Sequence, residues 1–343
     1  MNPDESDFLR ACRGELTGAT PIWFMRQAGR SLPEYRAIRG TESILEAISH
    51  PELAAEITMQ PVRRYGVDAA ILFSDIVVPL AAIGVGVEIV AGKGPVIAEP
   101  FRSRADLARI RPLEASIDTA YVLDTVKILR SELDVPLIGF AGAPFTVGSY
   151  FIEGGATRTF AKTKSLMHND PALFMELMDL LADLAIDSLT SQIDAGVAAV
   201  QLFDSWAGAL SRADYQRFVL PSSTKVLAAL EGTGAPRIHF GVDTGEIIDL
   251  MAEAGAEVIG VDWRMPLTTA ALRVGQSTTL QGNLDPAVCL AGYEAVVPEA
   301  RRILAEGAVA RAHIFNLGHG VLPETDPDVL ARLVEFVHES TRL

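Results

Sequence analysis

Arg26 and Arg30 stand four positions apart in the segment Pro21-Ile22-Trp23-Phe24-Met25-Arg26-Gln27-Ala28-Gly29-Arg30. In a helix or a compact loop that spacing turns both guanidinium groups to one side. The planar fork of arginine suits bidentate capture of carboxylates, and Trp23, Phe24 and Met25 alongside argue against a fully solvated segment. A second signal lies where apolar runs end. Ala69–Phe73 leads into Ser74-Asp75, Ala199–Phe203 into Asp204-Ser205-Trp206, and Arg237–Phe240 into Gly241 and Asp243. Val258–Val261 leads into Asp262-Trp263, Thr279–Gln281 into Gly282-Asn283, and His313–Leu317 into Gly318-His319-Gly320. One such ending is an ordinary cap or turn; six aimed at one face predict a lined cavity. Among the histidines, His319 is the best ligand contact, because glycine on either side lets backbone approach closely. His50, His168 and His338 fall on or beside surface helices, His313 opens a strand at the opposite end, and His239 lies inside a strand as a core residue.

These groups need elements to position them. Strands are expected at Ala69–Phe73, Leu137–Ala141, Ala199–Phe203, Arg237–Gly241, Val258–Val261, Thr279–Gln281 and His313–Leu317. Between them, leucines and alanines recur at three- and four-residue spacing, predicting helices such as Pro171–Gln192, Tyr215–Leu230, Glu246–Ala254 and Val288–Ala305. Asp170-Pro171, Ser211, Asp243 and Asp285-Pro286 read as helix starts, with Asp or Ser as cap and Pro in the first turn. Alternating strands and helices imply a parallel sheet covered on both faces. The expected fold is α/β, a single-domain distorted (β/α)8 TIM barrel over residues 1–343, whose active site lies at the C-terminal strand ends. The eighth strand falls near Ile22–Phe24 or between Val85 and Ile97, with a hairpin-like insertion after the first strand. A doubly wound dinucleotide fold is disfavoured, since no strand leads into a G-x-G-x-x-G turn.

Composition bounds the function. The formal charge of −15, with no lysine-rich run or basic tail, disfavours nucleic acid as a partner. An anionic ligand then requires arginines gathered locally in a pocket. Cys12 and Cys289 are the only cysteines, too few for a zinc cluster and suited to a reducing cytosol. Asp4, Glu5 and Asp7 carry the wrong charge for a targeting signal. The uncharged stretch between Asp75 and Glu88 is interrupted by Pro79, Gly84 and Gly86 and is too short for a bilayer. The protein is therefore expected to be cytoplasmic, with no membrane partner.

The segment Pro21–Arg30, continued by Ser31-Leu32-Pro33-Glu34-Tyr35, resembles the N-terminal signature of the uroporphyrinogen decarboxylase family, which more often has tyrosine where Ser31 stands. Leu72-Phe73-Ser74-Asp75-Ile76 resembles the segment bearing that family's essential aspartate. Gly139-Phe140-Ala141-Gly142-Ala143-Pro144-Phe145-Thr146, followed by Tyr150 and Glu153-Gly154, resembles its second signature. Phe203–Gly208, Gln281–Pro286 and Phe315–Val321 complete the pattern. The resemblance implies a homodimeric barrel that removes CO₂ from the four acetate arms of uroporphyrinogen III to give coproporphyrinogen III, using no metal and no organic cofactor. It implies Asp75 as the central residue, with Arg26, Gln27, Arg30, Tyr150, Phe203, Ser205 and His319 at the substrate. Arg26 and Arg30 would hold carboxylates, with Arg26 also serving or positioning the proton donor. Tyr150 would orient Asp75 or a carboxylate, Ser205 donate to a carboxylate, and His319 bind a propionate or relay a proton. Phe203 would form an apolar wall.

Chemistry agrees with that implication. A protonated pyrrole is itself an electron sink for the departing CO₂, so placed charges and general acids suffice. A zinc-dependent methyltransferase on a similar fold would need a His-x-Cys pair, whereas His239 is followed by Phe240 and Gly241. A non-catalytic tetrapyrrole carrier would have no need to keep Asp75 and Tyr150.

Overall fold

The structure, a computed structural model, describes residues 5–40, 42–90 and 92–342; Asp4 lies outside them. Strands β1 (Ala70–Ile71), β2 (Val87–Val90), β3 (Gly94–Ile97), β4 (Leu137–Gly142), β5 (Ala199–Asp204), β6 (Arg237–Gly241), β7 (Val258–Gly260), β8 (Thr279–Leu284) and β9 (His313–Leu317) succeed one another along the chain. Seven of them pair in the parallel order β1-β4-β5-β6-β7-β8-β9, and β2 and β3 form a separate antiparallel hairpin. Strands β5, β7 and β8 are buried on both faces or nearly so, as expected where helices cover a parallel sheet. The result is the α/β, curled parallel-sheet architecture of a TIM-type barrel.

Both uncertain segments find their places. Ile22 bridges in parallel to Phe315: the Trp23 N–H donates to the Phe315 carbonyl (3.3 Å) and the Phe315 N–H to that of Pro21 (2.8 Å). On its other side the Ile22 carbonyl accepts the Asp68 N–H (2.9 Å), and the Ile22 N–H donates to the Asp68 carboxylate (2.7 Å). Residues 21–23 thus occupy the gap between β9 and β1 as a one-bridge eighth staff. The Val85–Ile97 stretch is instead the hairpin insertion.

Helix starts follow the local sequence at three of four expected positions. Asp170 accepts the Leu173 N–H and opens the 25-residue helix Pro171–Ala195. Ser211 accepts from Asp214 and Asp285 from Ala287. Asp243 is a correction: it takes a left-handed backbone (φ 59°) and its own N–H is drawn to the Asp262 carboxylate, so it caps nothing. Three helices also depart from expectation, among them Glu246–Ala254, which opens as the 3₁₀ turn Gly245–Ile247 before the α-helix Ile248–Glu253. Tyr215–Val219 forms a π-turn before the α-helix Leu220–Ala229. Pro286–Ala291 is 3₁₀, and Gly292 (φ 90°) separates it from the helix Tyr293–Gly307. Strand β8 runs to Leu284 rather than Gln281, because Gly282, Asn283 and Leu284 pair with Phe315, Asn316 and Leu317.

The barrel interior carries a polar thread beneath an aromatic layer. The Trp23 indole N–H donates to Gln281 Oε1 (3.0 Å), and Gln281 Nε2 donates to Gln201 Oε1 (3.0 Å). All three side chains are buried, so each bond made avoids a desolvation cost of about 1–3 kcal/mol. Two residues further along β5, toward the C-terminal mouth, Phe203 meets Phe140 edge-on at 5.3 Å and Phe240 at 5.9 Å. These rings on β4, β5 and β6 floor the mouth.

Candidate active site

The arginine-bearing segment is a compact loop. Met25 ties it to the last strand: its N–H donates to Asn316 Oδ1 (3.1 Å), and its carbonyl accepts the Val321 N–H (2.8 Å). Trp23 and Phe24 are buried anchors. Gln27 is 1% exposed, and its amide is consumed inside the loop: Oε1 accepts the Phe24 N–H (2.9 Å) and Nε2 donates to the Ala69 carbonyl (3.0 Å). Its side chain braces the loop. Ser31, where the family more often has tyrosine, is also buried. Arg26 and Arg30 both hold left-handed backbone (φ 59° and 37°) while their side chains remain exposed. Such conformations cost L-residues energy and persist where surroundings over-determine them. The Arg26 arm runs over Gly320, where a Cβ would come within 2.4 Å of its Cδ. Glycine beside His319 is therefore needed for the close approach of Arg26.

Asp75 follows β1 in a loop that aims backbone donors at it, with the Val77 N–H 3.1 Å from Oδ1. Burial raises its carboxyl pKa above the ordinary range, against the opposing pull of that N–H and of the Arg26 and Arg30 guanidinium groups. Arg30 is lowered, first by desolvation and then by Arg26. Tyr150, on the helix Pro144–Glu153, is pushed up to about 12 by burial and by the Asp75 carboxylate, so it is a proton-bearing donor at neutral pH. His319 is lowered to about 4 by burial and by Arg26 and Arg30. The Gly320 N–H donates to its Nδ1 (2.6 Å), which leaves the ring proton on Nε2. His319 lies edge-on to Phe240, with ring centroids 6.4 Å apart.

The two guanidinium groups thus act on the desolvated carboxylate and on the neutral imidazole at the mouth, and the carboxylate and Arg26 act on the phenol. Fixed positive charge there can capture carboxylates despite the overall −15. The carboxylate among them can stabilise a cation developing on a bound ring. Among the described residues, no three His, Cys, Asp or Glu side chains are placed to share a metal ion. Cys12 and Cys289 are both buried, and burial pushes the Cys289 thiol up to about 12.

The model of the uroporphyrinogen decarboxylase family matches residues 3–340. The chain belongs to that family. It is 59% identical over 341 residues to the uroporphyrinogen decarboxylase of Salinispora tropica, covering 99% of this chain and 92% of the relative. To that of Streptomyces coelicolor it is 60% identical over 338 residues, covering 98% and 95%. Among solved structures, a methyltransferase from Methanosarcina mazei superposes with a TM-score of 0.84 at 20% identity, over 98% of this chain and 99% of that one. A B12-independent methionine synthase from Shewanella sp. W3-18-1 gives 0.59 at 11% identity, over 86% and 89%. At those identities the likeness is one of fold alone.

Within the family pattern, the structure sorts six polar residues from five of the strand endings into two kinds. Asp75, Ser205 and His319 are half-buried, and among the described residues the Ser205 hydroxyl has no hydrogen-bond partner. Asp204, Asp262 and Asn283 are buried braces instead. Asp204 bonds Thr146, Asp262 bonds the Arg264 N–H and guanidinium, and Asn283 donates to the Asp262 and Met265 carbonyls. Alternation along a strand turns neighbouring residues to opposite faces, so Phe203 faces the barrel axis while Asp204 faces the helices. Strand-level reading missed the stacking of Trp206 on Tyr150, ring centroids 3.9 Å apart. Nothing in the spacing of those two residues signals it. His239 is a core residue as read, with Nδ1 near the Met251 carbonyl, and His313 opens β9 half-buried, with Nε2 near the Gly282 carbonyl.

One prediction arises here. In a ¹⁵N-edited pH titration of the free protein, His319 should titrate near 4 and carry its neutral-state proton on Nε2. Adding a polycarboxylate should raise that value, since a bound anion favours the imidazolium. A free-protein midpoint at the ordinary imidazole value would remove His319 as a neutral donor.

Proposed function

We propose that this chain decarboxylates the four acetate arms of uroporphyrinogen III, giving coproporphyrinogen III and four CO₂, with Asp75 as the charge that stabilises the intermediate. The observation that carries the reading is the desolvated Asp75 carboxylate at the mouth, held under the influence of Arg26 and Arg30 and itself acting on Tyr150. Arg26 and Arg30 bind substrate carboxylates, Ser205 and the His319 Nε2–H donate to others, and Phe203 walls the ring. A proton adds to the pyrrole carbon next to the one bearing the acetate, making a cationic ring. The bond to the carboxylate carbon then breaks, its electron pair forms an exocyclic methylene, and CO₂ leaves. A second proton adds to that methylene to give the methyl, and the ring proton departs to restore the pyrrole. Net, one proton replaces each CO₂. Asp75 accepts the pyrrole N–H groups and offsets the ring charge, and Arg26 serves or positions the proton donor. No group beyond the ring and the protein is required by this sequence of steps.

The same reading has residues 1–343 act as one domain, in a cytoplasmic homodimer. The family match over almost the whole chain supports the first, and the family resemblance supports the dimer. Among the described residues no helix is long and apolar enough to cross a membrane. Purified protein incubated anaerobically with uroporphyrinogen III, with products oxidised and separated by carboxylate number, tests the reaction. Progression from eight to four carboxylates is expected. Unchanged substrate, despite folding and demonstrated binding, would overturn the reading in favour of a tetrapyrrole carrier.

A further inference from the structure

Thr146 sits in the first turn of the helix Pro144–Glu153, one turn before Tyr150. It is 0% exposed, yet its hydroxyl joins three pieces of the site. Its proton goes to Asp204 Oδ1 (2.9 Å) at the end of β5, and its oxygen accepts the Trp206 backbone N–H (3.2 Å). The Trp206 indole lies against the Tyr150 ring, 3.9 Å between centroids and 31° between planes. Phe160 packs edge-on against that indole at 5.1 Å. Asp204 is itself fully buried, and its second oxygen has no hydrogen-bond partner, with His239 Nε2 3.9 Å away. Thr146 is thus the polar link between a fixed buried carboxylate and the loop that carries Ser205 and Trp206.

We propose that Thr146 is a positioning residue for the decarboxylation, acting through Trp206 on Tyr150; this rests on the function proposed above. The Asp204–Thr146 bond pins the hydroxyl, the hydroxyl pins the Trp206 backbone, and the indole fixes the plane of the Tyr150 ring. That plane decides where the phenol proton points. Tyr150 has no hydrogen bond of its own among the described residues to hold it, so stacking carries its orientation. Valine at 146 keeps the shape and leaves both the Asp204 oxygen and the Trp206 N–H without a partner. A small displacement of a positioned donor is amplified in rate, because the catalytic gain depends on near-attack geometry.

The test uses uroporphyrinogen III turnover by the wild type, which first establishes the reaction independently of Thr146. Thr146→Val should then lower kcat roughly tenfold while KM stays within about twofold. Thr146→Ser, which keeps the hydroxyl, should recover kcat to within about twofold of wild type. In a Tyr150→Phe background the phenol is gone, so adding Thr146→Val should cost less than about twofold. Equal losses in both backgrounds, or a serine variant as slow as the valine one, would overturn the proposal. Should Thr146→Val fail to fold, Trp206→Leu cuts the same chain at the stack. It should show the same kcat loss and the same dependence on Tyr150, and an additive loss would again overturn it.

Discussion

Asp75→Asn is expected to lower kcat by roughly 10²–10³-fold, the range seen when one preorganised electrostatic group is removed, while raising the Tm at neutral pH. The two effects share one cause. Burial holds the Asp75 carboxyl above the ordinary carboxylate range, and the two arginines and the Val77 N–H only partly offset it. The folded protein therefore binds this proton at a higher pH than the unfolded chain does. Stability from this group is fully present at low pH and is lost as pH rises through the folded value. At neutral pH the ionised carboxylate opposes folding, and asparagine relieves that cost while its Oδ1 can still accept the Val77 N–H. The Tm difference between variant and wild type should shrink as pH is lowered through and below the carboxylate range. Thermal melts across pH 4–8 beside turnover measurements check both arms. A variant that loses activity and several degrees of Tm together would show that Asp75 supports the loop rather than the intermediate.

Arg26→Gln and Arg30→Gln should each raise KM for uroporphyrinogen III, and the double variant should raise it furthest. A charge-assisted hydrogen bond contributes about 1.5–3 kcal/mol, or roughly 10- to 150-fold in affinity, per arginine. The two losses should not add fully. In the free protein the guanidinium groups repel, and Arg26 is among the causes that lower Arg30; removing one relaxes the other. For the same reason neither single variant should lose thermal stability. Added salt should weaken substrate binding by the wild type more than by the double variant, because screening acts on the charges that remain. An unchanged KM in the double variant would reduce these residues to loop ornaments and leave substrate capture to other groups.

Much of this molecule is legible along the chain because its determinants are local. The strand cores at 137–141, 199–203, 237–241 and 313–317 read directly as apolar runs, since a parallel strand covered by helices must be apolar on both sides. Asp170, Ser211 and Asp285 announce helix starts, because a cap bonds within its own first turn. Arg26, Arg30, Asp75, Tyr150 and His319 stand out by motif and strand-end position, and in the fold the two arginines act electrostatically on Asp75 and His319, and Asp75 and Arg26 on Tyr150.

Other features were decided only by tertiary structure. Ile22 as the closing staff depends on Phe315 and Asp68, partners far away in sequence, so no local pattern marks a one-bridge strand. Gln27, inside the most recognisable motif, has its side-chain amide taken up by the Phe24 N–H and the Ala69 carbonyl, a pairing that only the fold brings about. Asp204, Asp262 and Asn283 end strands just as Asp75 and His319 do, yet their side chains are taken up by protein partners. Which polar residue at a strand end faces the mouth is set by pleat and by the loop that follows, and both depend on what packs behind. The sequence by itself determined the chemistry available to this protein, because residue types and motifs are written in it. Which of those groups meet a ligand was decided by three-dimensional packing, because a buried polar group must find its partner wherever the fold supplies one.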